Sequence, residues 1–211
     1  MEVNFQDIFQ FGDQILLNKS VDSKQLLNDL KQFDDKWFQY NEFKKYIKRD
    51  GLCVLNESGE NKPGPAISSL GEWNRENGTN FVETDFNIDT PVYHCNEELK
   101  ELMDEIRPWA YRTHFLRLPP GGYFPPHRDS RHIRPDTFRL IMPLQNTANP
   151  WFRFMIEERC LHWSEGSLYA VNTTKEHMLF NAGTKDSIWL VINVKVCEDM
   201  FRYVSKNLAI Q

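Results

Sequence analysis

Across residues 187–196 the side chains alternate with the two-residue period of a β-strand. Ile188, Leu190, Ile192 and Val194 fall on one face, and Ser187, Trp189, Val191 and Asn193 on the other. Shorter β-rich runs precede it at 111–118, 137–144, 151–156, 160–163, 167–171 and 177–181. Seven such runs in succession, separated by turn residues, predict an antiparallel sandwich or barrel. Before residue 109 the period changes. Leu99, Leu102, Met103 and Ile106 recur at helical spacing behind Asn96, a good N-cap, with Glu97 and Glu98 at the positive end of the helix and Pro108 beyond its last turn. Leu26, Leu27, Leu30 and Phe33 repeat that pattern over 21–33, capped by Ser20 or Asp22.

A helical stretch is also expected at 41–48, stopped by Asp50-Gly51 before an apolar run at 52–55 that reads as the first strand. Residues 56–80, rich in Gly, Pro, Ser and Asn, predict a long loop, and 198–206 a closing helix. The pattern as a whole is a mainly β fold with flanking helices around a double-stranded β-helix, the cupin-like jelly roll, whose interior can hold a ligand or metal. It is read as one domain over 1–211: a helical and loop part at 1–108, the jelly-roll core at 109–196 and a C-terminal helix at 197–211.

Composition narrows the class. The 211 residues include 40% hydrophobic, 13% aromatic and 26% charged positions, enough apolar material for a core without disulfides. A net charge of -5 argues against a phosphate-backbone binder, which needs a surplus of Lys and Arg on one face, so no nucleic-acid partner is expected. Cys53, Cys95, Cys160 and Cys197 are far apart and form no C-x-x-C pair, which fits a reduced, cytoplasmic setting. No signal peptide or membrane-spanning run is read, so no membrane partner is expected.

The chemistry lies in R-L-P-P-G-G-Y-F-P-P-H-R-D, where a strand ends in a Pro/Gly-rich turn that delivers His127 and Asp129. In extended chain, residues two apart face the same side. With a second imidazole from another strand they make the facial triad that binds non-haem iron(II) and leaves coordination positions open. H-x-D alone is a weak signal, more often an ordinary surface loop, but His177 starts a separate β-rich run fifty positions later, in E-H-M-L-F-N-A-G. His94, His114, His132 and His162 read as ordinary histidines bonded to backbone or water. Trp37, Trp73, Trp109, Trp151, Trp163 and Trp189 read as packing residues, Trp73 in the long loop being the one to watch. Arg128, Arg131 and Arg134, with His132, form a local basic cluster that reads as solvated or as a hold for an acidic substrate group.

In this order of motifs the chain resembles the aspartyl/asparaginyl β-hydroxylase-like group of 2-oxoglutarate oxygenases, which includes some free-proline hydroxylases. The resemblance spans roughly 117–194. It rests on R-L-P-P-G-G before H-R-D, on T-F-R-L-I-M-P-L, on W-S-E-G at 163–166, and on His177 followed by Asn181 and W-L-V-I-N-V. It implies a jelly roll in which iron(II) and 2-oxoglutarate activate dioxygen, with succinate and carbon dioxide as co-products of hydroxylating an unactivated C–H bond. His127, Asp129 and His177 would be the iron ligands, and the substrate an amino-acid side chain, either peptidyl Asp/Asn or a free amino acid such as proline.

In one place the chain departs from the group. Its members usually carry an arginine about ten residues after the distal histidine to pair with the far carboxylate of 2-oxoglutarate, and here Ser187 stands there. The expected substitute is Arg139, on a strand matching one whose arginine also contacts the co-substrate, with Arg153 and Lys185 as the other candidates. The competing reading is a cupin-like metal- or ligand-binding protein without oxygenase activity, and Ser187 is the residue that favours it.

Overall fold

The computed structural model describes residues 3–129 and 136–209. The N-terminal half contains α1 (Phe5–Ile8), β1 (Gln14–Ser20), α2 (Ser23–Leu30), β2 (Phe38–Gln39), β3 (Asp50–Cys53), β4 (Leu55–Asn56), α3 (Leu70–Asn77), β5 (Ile88–Asp89) and α4 (Glu97–Ile106). Then come β6 (Ala110–Leu118), β7 (Tyr123–His127), β8 (Thr137–Gln145), β9 (Phe152–Ile156), β10 (Arg159–Cys160), β11 (Ser167–Val171), β12 (His177–Asn181), β13 (Ser187–Lys195) and α5 (Glu198–Lys206).

A seven-stranded antiparallel sheet, in the order β1-β11-β8-β13-β6-β3-β2, faces a four-stranded sheet ordered β10-β9-β12-β7. From β6 onward the chain passes back and forth between them: β6, β8, β11 and β13 lie in the large sheet, and β7, β9, β10, β12 in the small one. This is the double-stranded β-helix the alternation predicts, with helices outside it.

The two faces of the large sheet serve different cores. Phe138, Leu140, Met142, Leu144, Leu190, Ile192 and Val194 pack outward under α1, α2, α4 and α5, against residues such as Leu26, Leu99, Met103 and Met200. Leu116, Ile141, Tyr169, Trp189 and Val191 point the other way, onto Phe152, Phe154, Ile156 and Leu179 of the small sheet. A one-residue slip of β13 would exchange these faces, so burial on both sides fixes its register. Asn96 caps α4 through Leu99 N at 3.0 Å, and Asp22 caps α2 through Lys24 N and Gln25 N. Expected strand 137–144 and helices 96–106 and 198–206 agree with the structure to within a residue at each end.

Elsewhere the structure departs from the sequence pattern. Residues 41–48 form only a 3₁₀ turn at Glu42–Lys44, because Asn41 is left-handed (φ 60°) and Asn41 and Lys44 are both drawn to Glu72. The long loop contains α3, closed by Gly78 at φ 63°. The N-terminal part is not only helix and loop: β1, β2 and β3 extend the large sheet at both ends. Most consequential is β7. Pro125 and Pro126 sit inside a strand, which is possible because β7 is the edge of the small sheet and owes no hydrogen bonds on its outer side.

The P-P-G-G turn that feeds β7 is tied to the end of β12. Gly121 N donates to Asn181 O and Asn181 N to Gly122 O, while the fully buried Asn181 amide donates to Leu118 O and Lys185 O, each at 2.9 Å. Gly121 is left-handed (φ 72°), and a Cβ on Gly122 would stand 2.7 Å from Leu118. These bonds set the β7–β12 register. Asn181→Ala takes the amide donor from the buried Leu118 carbonyl and one of two donors from Lys185 O, which keeps Asn146, and we expect it to lower stability by about 1–3 kcal/mol. Urea denaturation is the measurement; a midpoint equal to wild type would show that the turn is held by other means.

Candidate metal centre

His127 and His177 face each other across the β7–β12 ladder as paired residues. Between that pair and Phe124–Leu179, two residues of β7, Pro125 and Pro126, oppose one of β12, Met178, a bulge that falls at the two prolines and turns the end of β7. Asp129 lies just beyond, its backbone N–H bonded to Thr173 O. The result is a cluster whose three ligand atoms all lie within 4.8 Å of one another. Asp129 Oδ1 is 3.5 Å from His127 Nε2, and Oδ2 is 3.8 Å from His177 Nε2.

The imidazoles are oriented from behind. His127 Nδ1 lies 2.9 Å from Pro125 O and His177 Nδ1 3.0 Å from Lys175 O. Carbonyls accept only, so both Nδ1 atoms carry the proton and both Nε2 lone pairs point at the shared space. Backbone anchoring of this kind holds metal-ligating histidines in one tautomer and orientation. Two imidazoles and one carboxylate gathered about one point fit a divalent transition metal.

Electrostatics keep the cluster ready for a cation. Burial pushes the His177 imidazole down to about 4, so it is neutral at pH 7. Burial would raise the Asp129 carboxyl, but the Arg139 charge and the two histidines hold it well below the ordinary range. Arg139 Nε lies 2.5 Å from Asp129 Oδ2, and its Nη1 donates to Asn193 Oδ1, while the Asn193 amide donates to Arg112 O at 2.7 Å. Arg139 therefore faces inward from β8, but as a clamp on Asp129.

The cluster lies in a cavity of about 530 Å³ between the sheets, bounded by Phe154, Leu179, Trp189 and Val191 on the core side. Its opposite wall comes from the N-terminal half: Tyr40, Arg49, Ser68, Leu70 and Glu83. Arg112 and His114 of β6 line it as well. Arg112, left-handed at φ 34°, bonds Ala66 O, Ser68 O and Glu83 Oε1, the last at 2.8 Å, and so fastens that wall to the sheet.

Of the other anchor candidates, Arg153 and Lys185 are exposed and neither lines the cavity. Ser187 is fully buried, its hydroxyl donating to Asn146 O at 2.7 Å, and it too lies outside the lining. Arg128 is exposed at the cavity mouth, whereas Arg131, His132 and Arg134 lie outside the described residues. Trp73 packs on Phe43 and is not part of the lining. Sequence reading passed over Arg49, Arg112 and Tyr40, and took His114 for an ordinary histidine. Nothing in K-R-D-G or in a strand arginine distinguishes a cavity residue from a solvated one.

The site lies in a region that matches a known family. A profile of aspartyl/asparaginyl beta-hydroxylases aligns with residues 81–196, more than half the chain and all three members of the cluster. The chain belongs to the aspartyl/asparaginyl β-hydroxylase family. Tyr40 and Arg49, on the far cavity wall, precede the matched residues. No curated protein matches the chain. Partial likenesses among solved structures include a predicted oxalate decarboxylase from Thermotoga maritima, at 16% identity over 44% of this chain and 73% of that one, TM-score 0.32. Another is a cupin domain from Bordetella pertussis, at 22% identity over 39% and 79%, TM-score 0.30. A third is a cupin domain from Schizosaccharomyces pombe, at 10% identity over 42% and 54%, TM-score 0.33. Among the described residues no helix of this β-hydroxylase family member is long and apolar enough to cross a membrane.

Two outcomes follow for this hydroxylase-family site. Asp129→Ala should lower affinity for iron(II) or manganese(II) at least about a hundredfold, as read by calorimetric titration on protein shown by circular dichroism to be folded, because the change also takes the carboxylate from Arg139; unchanged affinity would remove Asp129 from the site. The second concerns acid. Burial first, then Arg112, Arg139 and Arg49, hold His114 well below 6.5, and burial holds His177 at about 4. Below pH 6.5 the unfolded chain binds protons that the native chain refuses. The metal-free protein should therefore lose up to about 1.4 kcal/mol per pH unit for each histidine as pH falls from 6.5 towards 4, and lose nothing from this source above 6.5. His114→Phe should flatten the slope, and an unchanged slope in urea titrations at pH 7 and 5 would rule His114 out.

Proposed function

We propose that the protein is an iron(II)- and 2-oxoglutarate-dependent dioxygenase that hydroxylates an amino-acid side chain, peptidyl Asp/Asn or a free amino acid such as proline. The observation that carries this is the convergence of His127 Nε2, Asp129 and His177 Nε2 on one point at the side of a partly apolar cavity. Membership of a family of hydroxylases supports the same reading.

Bound iron with 2-oxoglutarate and dioxygen would supply the oxidising chemistry, leaving succinate and carbon dioxide as co-products. The work of this chain is positioning. His127, Asp129 and His177 would hold the ion, beside the space of the cavity. Pro125 O and Lys175 O hold the two imidazole protons at Nδ1, so no proton has to leave Nε2 of His177 at neutral pH. Arg139 keeps Asp129 ionised and fixes its rotamer, a contact expected to loosen when the carboxylate is shared with a cation. Phe154, Leu179, Trp189 and Val191 keep water from the core side of the site, which protects a reactive centre from side reactions. The 530 Å³ of the cavity suits a co-substrate and one side chain better than a large folded partner, and it admits either a free amino acid or a peptide entering from the mouth.

The test is purified protein with iron(II), ascorbate and 2-oxoglutarate, offered free amino acids and Asp-, Asn- and Pro-containing peptides, followed by mass spectrometry. A gain of one oxygen atom, coupled one-to-one to succinate and abolished by Asp129→Ala, is the expected result. Coupled turnover only with a nucleobase, lipid or sugar would overturn the amino-acid assignment, and metal binding with no consumption of 2-oxoglutarate would establish a binding protein instead.

A further inference from the structure

Arg49, the residue before β3, is 8% exposed and faces the cavity. Its guanidinium carbon lies 4.1 Å from the centroid of the Tyr40 ring and 4.0 Å from that of Phe124, so the group is held between two aromatic faces. Phe124 in turn stands edge-on to His127, with centroids 4.1 Å apart, which places Arg49 one ring away from a metal ligand. Aromatic faces stabilise a cation, but they neither neutralise its charge nor accept its hydrogen bonds in the plane. Arg49 Nε is buried without a hydrogen-bond partner, and among the described residues no carboxylate lies within ion-pair distance of this side chain.

The other cavity cations are engaged. Arg112 pairs with Glu83, Arg139 with Asp129 and Lys44 with Glu72, while Arg128 is exposed at the mouth. Burial lowers the Arg49 guanidinium to about 10, which still leaves it charged at pH 7. A desolvated, unpaired cation is unfavourable for folding unless an anion joins it. A second unsatisfied polar atom borders the same cavity, His114 Nδ1, on a ring 5.3 Å from that of Tyr40.

We propose that Arg49 is the carboxylate-binding residue of this cavity and receives the far carboxylate of the 2-oxo acid co-substrate, taking the place that a serine leaves open at position 187. This rests on the 2-oxoglutarate reading above. It moves the anchor from Arg139 to a residue that precedes the matched residues. The planar guanidinium presents its edge between the two rings and can bind both oxygens of a carboxylate, which a dicarboxylic 2-oxo acid reaching past Phe124 would supply.

The experiment measures binding, without turnover. Manganese(II)-loaded full-length protein is titrated calorimetrically with 2-oxoglutarate and with 2-oxopentanoate, the five-carbon 2-oxo acid that lacks the far carboxylate. Wild type should prefer 2-oxoglutarate by at least about thirtyfold. Arg49→Met should erase that preference while leaving 2-oxopentanoate affinity within about twofold, and Arg49→Lys should lose at least about fivefold. Without ligand, Arg49→Met should melt at a higher temperature than wild type, because an unpaired buried charge has gone.

A Met variant that keeps the preference, or that melts lower or fails to fold, shows the guanidinium to be a packing element and overturns this proposal alone. Loss of the preference in Arg139→Ala but not in Arg49→Met would return the anchor to Arg139. Wild-type protein that binds manganese(II) but not 2-oxoglutarate overturns the co-substrate reading together with this one.

Discussion

Three guanidinium groups meet inside the cavity, and among the described residues only two of them have a carboxylate. That imbalance organises the molecule around it. Glu83 answers Arg112 and in doing so fastens the N-terminal wall to the sheet; Asp129 answers Arg139 and is thereby held ionised beside His127 and His177. Charges at this depth cost stability unless they are paired and hydrogen-bonded. The polar side chains that satisfy them are correspondingly buried, Asn193 at 2% exposure being the clearest, its two amide atoms joining Arg139 to the backbone of Arg112. Loss of any one of these partners would leave the next without its complement.

The cluster of His127, Asp129 and His177 depends on a different constraint, that of an edge strand. A central strand could not contain Pro125-Pro126, and without them β7 would run on flat and carry His127 along the ladder. At the edge of the small sheet the prolines are accommodated in a bulge, and the P-P-G-G turn before them is closed by Asn181 from the strand that begins with His177. The motif residues outside the cluster thus act on it through the backbone.

Much of this was legible in the sequence, for reasons that can be stated. The faces of β13 follow from a clean two-residue alternation, because both faces are buried against different partners; Ile192 goes outward to the helices and Val191 inward as the pattern requires. His127, Asp129 and His177 stand out only in combination, since H-x-D alone is a weak signal and it is the later E-H-M-L-F-N-A-G run and the order of the motifs that single them out; the structure brings the three together. The rest turned on contacts distant in sequence. β1 pairs with β11 more than a hundred residues away, and the expected helix at 41–48 gives way to bonds with Glu72. Arg49 has no local signature at all: its distinction lies in what surrounds it, Tyr40 before it and Phe124 far beyond it in the chain. Whether Arg139 points into the cavity is not legible in its strand; it does, and its partner there is Asp129.

The two walls of the cavity come from separate stretches of chain. The cluster and the apolar floor are made by the strands of the jelly roll, whereas Tyr40, Arg49, Ser68 and Leu70 belong to the segment before residue 81, joined to the rest at β3 and through Arg112. Substitutions in the earlier stretch can therefore change one wall of the cavity while His127, Asp129 and His177 keep their places, so the two sides of one pocket answer to separate parts of the sequence.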